Sequence, residues 1–115
     1  MRTVYPLVRY RDPGEAADWL VRAFGFGVHE ISKGDDGKVE HAELTAGTGL
    51  IMIGAGEPGG PGVYLAVDDP DAHHARSLSA GARVTMELND QPYGSREYAC
   101  RDPEGNHWFF GTYRP

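Results

Sequence analysis

The residues best placed to do chemistry in this chain are His41 and Glu43, separated by Ala42. In an extended segment, alternation puts this imidazole and carboxylate on one face, as in a His-x-Glu metal pair or an acid/base pair. Arg9, Tyr98 and His107 are further polar groups for the same surroundings. Three readings stand for His41 and Glu43: polar contacts to a ligand, two donors of a metal site, or a structural pair that sits on a solvated face or binds only each other. His73-His74 are neighbours in a helical stretch and point about 100° apart, so they do not converge on one ion and are expected on a solvated face. Cys100 is expected to be an inert small hydrophobe rather than a nucleophile. Gly54-Ala55-Gly56-Glu57-Pro58-Gly59 matches G-x-G-x-x-G. Gly60-Pro61-Gly62 cannot begin the helix that would present N–H groups to a pyrophosphate, so the stretch is a linker. Asp12, Asp69 and Asp102 each precede a proline and are read as caps or turn formers.

The chain carrying these groups has 115 residues, 40% hydrophobic and 24% charged. That is the size and mix of one globular domain, 1–115, and too little for two independent ones. No apolar run approaches the ~20 residues of a membrane span, and residues 1–6 lack the apolar stretch of a secretory signal. A single cysteine excludes an internal disulfide and fits a reducing cytoplasm. A net charge of −6 argues against a nucleic-acid or membrane partner. Sixteen Gly and eight Pro stand between apolar segments, the pattern of short strands joined by tight turns.

Residues 3–10 read as a strand, with Pro6 suggesting an edge. Asp12-Pro13-Gly14-Glu15 looks like a helix start, Ala16, Ala17, Leu20, Ala23 and Phe24 form one apolar stripe, and Gly25 is a stop. Strands follow at 27–33, 38–45 and 49–54. After the linker at 55–62 the order returns: a strand at 63–68, a helix over about 70–80, and strands near 83–88, 95–101 and 107–113. The two halves share the order βαβββ. At an ungapped offset of 57, nine of 58 residue pairs are identical, against about four by chance. Among them Asp12/Asp69, Pro13/Pro70, Gly37/Gly94, Glu40/Glu97, Ala42/Ala99 and Gly54/Gly111 fall largely on caps and turns, which identifies an internal duplication. The fold class is α+β, two tandem βαβββ modules of about 1–54 and 63–115.

Alternation then assigns strand faces. Ala42 and Leu44, Ile51 and Ile53, and Trp108 and Phe110 face the helices. Tyr5, Leu7 and Arg9, His41 and Glu43, Met52, and Phe109 with His107 fall on the opposite faces, and Tyr98 is assigned there too. Two curved sheets, each covered by helices on one side, leave these second faces lining a groove, where a ligand is expected. Its binding residues are Tyr5, Leu7, Arg9, His41, Glu43, Met52, Tyr98 and Phe109.

The opening Tyr5-Pro6-Leu7-Val8-Arg9-Tyr10-Arg11-Asp12, the segments Ala17-Asp18-Trp19-Leu20, Ala23-Phe24-Gly25-Phe26 and His41-Ala42-Glu43-Leu44, and the closing Tyr93-Gly94-Ser95-Arg96 and Asp102-Pro103-Glu104-Gly105-Asn106-His107-Trp108 are similar to bacterial members of the vicinal oxygen chelate superfamily. That superfamily holds glyoxalase I, extradiol dioxygenases, and bleomycin- and fosfomycin-resistance proteins. The resemblance covers essentially the whole chain and implies the paired-module glyoxalase/bleomycin-resistance fold. It also implies metal-ligand positions at Tyr5, Met52, Gly62 and Phe109, none of which offers an imidazole or carboxylate. The chain therefore resembles the metal-free, bleomycin-resistance-like branch. The expectation is a metal-independent small-molecule-binding protein of the antibiotic-sequestering kind, with no metal, no cofactor and no catalytic residue. By analogy it is a homodimer whose ligand lies in a groove at the dimer interface. The alternative is a lyase, isomerase or dioxygenase of the glyoxalase type with a metal relocated to His41 and Glu43.

Overall fold

The two helices begin in the same way. In the computed structural model, which describes residues 2–115, the Asp12 side chain accepts from the Glu15 N–H at 3.2 Å and the Asp69 side chain from the Ala72 N–H at 3.1 Å. A proline follows each cap, where its missing N–H costs nothing. α1 (Pro13–Phe24) ends at Gly25, whose φ of +76° is the left-handed conformation that glycine adopts without strain. α2 spans Pro70–Ser79. Around them run β1 (Leu7–Tyr10), β2 (Gly27–Lys33), β3 (Val39–Ala46), β4 (Gly49–Ala55), β5 (Val63–Ala66), β6 (Arg83–Asp90), β7 (Arg96–Arg101) and β8 (His107–Gly111). The first strand is shorter than the expected 3–10, since regular pairing starts only after Pro6.

The strands make two four-stranded sheets of matching order, β1-β4-β3-β2 and β5-β8-β7-β6. The first strand of each module pairs in parallel with the last, and the other pairs are antiparallel. The fold is α+β, two tandem βαβββ modules. One side of each sheet is the core side: Ala42, Leu44, Ile51 and Ile53 in the first, Tyr98, Cys100, Trp108 and Phe110 in the second, all buried. Phe24 at the end of α1 crosses to the second sheet, its ring centroid 5.4 Å from Trp108 and 4.7 Å from Phe110.

The duplication is real in topology but not in a single register. The turns keep the offset of 57: the Gly37 N–H donates to the Gly34 carbonyl and the Gly94 N–H to that of Gln91. Beyond them, β3 carries a bulge. Ser32 pairs with His41 and Lys33 with Val39, so Glu40 is an extra residue. β7 has none there, Asn89 pairing with Glu97 and Asp90 with Arg96. Across the next strand, His41 and Glu97 sit opposite Gly54 and Gly111, and Ala42 and Tyr98 opposite Ile53 and Phe110. The structural partners in β3 and β7 are thus one residue closer than 57. The Asp102–Asn106 turn is one residue longer than 46–49 and restores the phase. Glu40/Glu97 and Ala42/Ala99 are therefore chance identities. Because a one-residue slip exchanges the faces of a strand, this is also why Tyr98 lies on the core side and not in the groove.

Buried polar groups tie the modules together. Asp102, 1% exposed, accepts through Oδ2 from the Tyr10 hydroxyl at 2.5 Å and from Trp108 Nε1 at 2.9 Å. Its Oδ1 accepts from the N–H groups of Glu104 and Asn106. The helices meet at a second set of contacts. Trp19 Nε1 donates to the Ala80 carbonyl, and Arg76 reaches the Arg22 carbonyl. His73 is not on a solvated face. It is packed beside Phe24, with Nε2 donating to the Phe24 carbonyl at 3.2 Å and Nδ1 2.5 Å from the Tyr98 hydroxyl. The helices are laid against each other, and the turn of α2 carrying His73 faces that seam. His74 instead pairs with Glu87 at 3.1 Å.

Truncating Asp102→Ala strands two side-chain donors and two backbone N–H groups, so a loss of about 3 kcal/mol is expected in urea unfolding at neutral pH. His73 generates a pH dependence. Burial, with a smaller contribution from Arg76, pushes its pKa down to about 4 from 6.5 against the raising effect of its bond to Phe24. The unfolded chain takes up this proton below about pH 6.5 while the fold resists it. Stability is complete above that pH and falls as pH drops towards 4, by on the order of 2 kcal/mol. The His73→Gln variant is expected to lack this part of the slope in urea melts run from pH 7 to 4.

Candidate functional site

The second face of the first sheet gathers most of the expected binding residues. Register places Leu7 beside Met52 and Met52 beside Glu43, and in the next row Arg9 beside Gly54 and Gly54 beside His41. A Cβ at Gly54 would stand 3.4 Å from Leu7 Cδ1 and 3.8 Å from Arg9 Nη1. The bare strand position thus lets both β1 side chains lie across β4. Arg9 is anchored by a 3.2 Å bond to the Ala55 carbonyl. His41 Nε2 lies 3.4 Å from Glu43 Oε2, and His29 Nε2 lies 3.8 Å from Glu43 Oε1. His29 was not foreseen. It sits where β2 shifts register between Val28 and Glu30, and regular alternation gives no sign of such a bulge. Tyr5 precedes β1, is 43% exposed, and donates its hydroxyl to the Arg2 carbonyl.

The second sheet has its own version of this face. Tyr64 is beside Phe109 and Phe109 beside Ala99, while Gly111 is beside Glu97. Glu97 is 7% exposed. It accepts from the hydroxyls of Tyr64 and Tyr93, each at 2.7 Å, and from Ser95 Oγ at 3.0 Å. Burial opposes its ionisation, but the bonds from Tyr93, Tyr64 and Ser95 outweigh it and hold the carboxyl below its usual pKa. The same contact pushes the Tyr93 phenol up to about 12, so it remains a donor to Glu97. Sequence reasoning missed Glu97 because the offset of 57 matched it to Glu40. Phe109 stacks obliquely on His107, with centroids 4.4 Å apart. His107 Nε2 lies 2.7 Å from Thr85 Oγ1, and burial and Arg101 hold the imidazole pKa below its ordinary value.

Between β1 and β5 opens a cleft of about 660 Å³, lined by residues 6–9, 57–64 and 106–108. That volume is in the range of small-molecule sites. Leu7 and Arg9 reach it; His41, Glu43, Met52 and Phe109 lie on the sheet faces beyond its lining. Tyr98 has no place in either set. It is fully buried and stacks on Phe110, 5.3 Å between centroids. Cys100 shares that side, where burial and then Asp102 push its thiol up to about 12, as an inert core residue requires.

The four positions that the resemblance marks for a metal do not fit one. Tyr5, Met52 and Phe109 supply a phenol, a thioether and a phenyl, and Gly62 supplies no side chain. The Phe109 ring covers the Gly62 Cα so closely that a Cβ there would stand 3.0 Å from Cδ2 and nearer still to Cε2. At Gly62 the place of a donor side chain is taken by the Phe109 ring. Nor does a relocated site form around His41 and Glu43: among the described residues no three His, Cys, Asp or Glu side chains are placed to hold an ion.

Paired βαβββ modules with a cleft between their first strands define a class of protein, and residues 2–110 match the model of the Glyoxalase/Bleomycin resistance protein/Dioxygenase superfamily. The chain belongs to that superfamily. It is 34% identical to an uncharacterized protein of Mycobacterium tuberculosis strain H37Rv over 87% of this chain and 68% of the relative. TioX from Micromonospora sp. ML1 superimposes with a TM-score of 0.85 at 38% identity, over 96% of this chain and 98% of TioX. Lactoylglutathione lyase from Agrobacterium tumefaciens shares the fold at 17% identity, with a TM-score of 0.76 over 96% and 92% of the two chains.

Since Tyr98 belongs to the core, Tyr98→Phe is expected to cost about 1 kcal/mol in urea unfolding through the lost contacts to His73 and Ser77. The backbone amide resonances of Leu7, Met52 and Phe109 should stay in place. Large shifts at those three would return Tyr98 to the groove.

Proposed function

We propose that this chain is a metal-independent small-molecule-binding protein of the antibiotic-sequestering kind, its ligand seated on the second faces of the sheets in a groove that a second copy completes. The observation that carries this reading is the chemistry of those faces. Leu7 is 47% exposed and Tyr64 41%, with Met52 and Phe109 beside them, while Arg9, His41, Glu43 and Glu97 stand among the apolar side chains as orienting groups. An exposed apolar and aromatic surface next to a cleft suits either a ligand or a partner copy. A shared groove gives it both. The superfamily's own name includes bleomycin resistance, which supports an antibiotic as ligand. Among the described residues no helix is long and apolar enough to cross a membrane. We place the protein in the cytoplasm on its single buried cysteine, which suits a reducing compartment.

The alternative, a glyoxalase-type enzyme with its metal relocated to His41 and Glu43, requires at least a third N, O⁻ or S⁻ donor beside them, and the described residues of one chain contain no such group of three. The binding reading is tested by titrating a library of aromatic and peptide-like antibiotics into the protein and following its amide resonances. Shifts at Leu7, Met52 and Phe109, saturation at one ligand per chain, and recovery of the compound unchanged by mass spectrometry are expected. Steady conversion of a compound that stops on adding a chelator would overturn it. For the shared groove, sedimentation at micromolar concentration should give twice the 12.5 kDa of one chain. Leu7→Asp should shift it to the monomer, and a wild type that sediments as a monomer throughout would remove the second copy from the site.

A further inference from the structure

Glu97 is a carboxylate more than nine-tenths buried, and no lysine, arginine or histidine of the described residues forms an ion pair with it. Buried charges are ordinarily paired. Here the charge is met only by neutral hydroxyls, those of Tyr64, Tyr93 and Ser95. A phenol has one hydrogen, and Tyr64 and Tyr93 have both committed theirs to Glu97. Towards solvent these two oxygens can only accept. Tyr64 also takes the Tyr113 N–H at 3.2 Å, and the Tyr93 and Tyr113 rings meet edge to face at 5.6 Å. The outcome is a carboxylate covered by half-exposed tyrosine rings, with the oxygens of Tyr64 and Tyr93 offering lone pairs and no hydrogens.

The backbone is shaped for this arrangement. Tyr64 reaches Glu97 by crossing over β8 at Gly111, where a Cβ would collide with the Tyr64 hydroxyl and would lie 3.0 Å from Glu97 Oε2. The equivalent crossing in the first module, over Gly54, is made by Leu7 and Arg9, with His41 beside Gly54 on the next strand. The second module has built an acceptor-only anionic site at the corresponding place.

We infer that Glu97, with Tyr64 and Tyr93, forms a subsite for the organic cation of the ligand: an ammonium, guanidinium or amidinium group attached to a small molecule. Such a group supplies what the site lacks, positive charge and N–H donors, and its attraction to aromatic rings adds to the carboxylate's pull. The subsite rests on the small-molecule reading above and names the ligand class for it.

The test uses benzamidinium and its neutral isostere benzamide, each titrated into the full chain and followed by the amide resonances of Tyr64, Glu97 and Gly111. Benzamidinium is expected to bind about tenfold more tightly than benzamide or better. In Glu97→Gln, which keeps the shape and removes the charge, the preference should fall to within about twofold. Should that variant fail to fold, Tyr64→Phe retains the ring without its oxygen and should cut the preference several-fold. Equal affinities for the two probes, a preference that survives in the folded variant, or no response of these amides to benzamidinium would each overturn the subsite. Equal binding of both probes on the second faces would sink the cation preference alone and leave the small-molecule reading standing. Silence of those faces towards the whole antibiotic library would sink that reading instead.

Discussion

One buried carboxylate holds the two halves of this protein in place. Asp102 begins a turn of the second module, yet one of its two side-chain partners, Tyr10, ends the first strand of the first module. The rest of that turn binds in the same direction. The Asn106 side chain donates to the Arg9 carbonyl and accepts from the Gly59 N–H, and Glu104 receives the N–H groups of Arg11 and Asp12. The end of β1 and the cap of α1, more than ninety positions away in the chain, and the linker, 47 positions away, are all fixed to these five residues. Such a network stabilises when every member is satisfied, and among the described residues no buried side-chain donor or acceptor lacks a partner. The cleft between β1 and β5 exists because this turn holds both its linker wall and its β1 wall.

The sheets divide their labour by face. On the core side, aromatic rings from both modules interlock around Phe24, and the fold keeps the titratable His73, Tyr98 and Cys100 there neutral. On the other side, matching positions carry opposite chemistry. His41 and Glu97 each stand beside a bare glycine of the last strand, one an imidazole loosely held by a carboxylate, the other a carboxylate tightly held by hydroxyls. The duplicated scaffold has been kept while the two faces diverged.

Much of this could be read from the chain itself. The caps at Asp12 and Asp69, the stop at Gly25 and the βαβββ order follow from local rules that tertiary structure did not override. The faces of β3, β4 and β8 follow from alternation alone. What failed was tied to single-residue register. The bulge at Glu40 and the longer turn after Asp102 cancel over the module, so an ungapped comparison looks sound at both ends while β7 is out of phase in the middle. That slip placed Tyr98 in the groove and concealed Glu97. His73 was misread for another reason: its burial comes from α1 lying against α2, a contact between distant segments with no trace in local periodicity. His29 depends on a bulge, which also leaves none.

The contact between Phe109 and Gly62 has an evolutionary consequence. A side chain at position 62 cannot enter while the phenyl ring covers its Cα, whereas position 109 can change while 62 stays glycine. The two positions are coupled, and substitution at 62 must wait for substitution at 109.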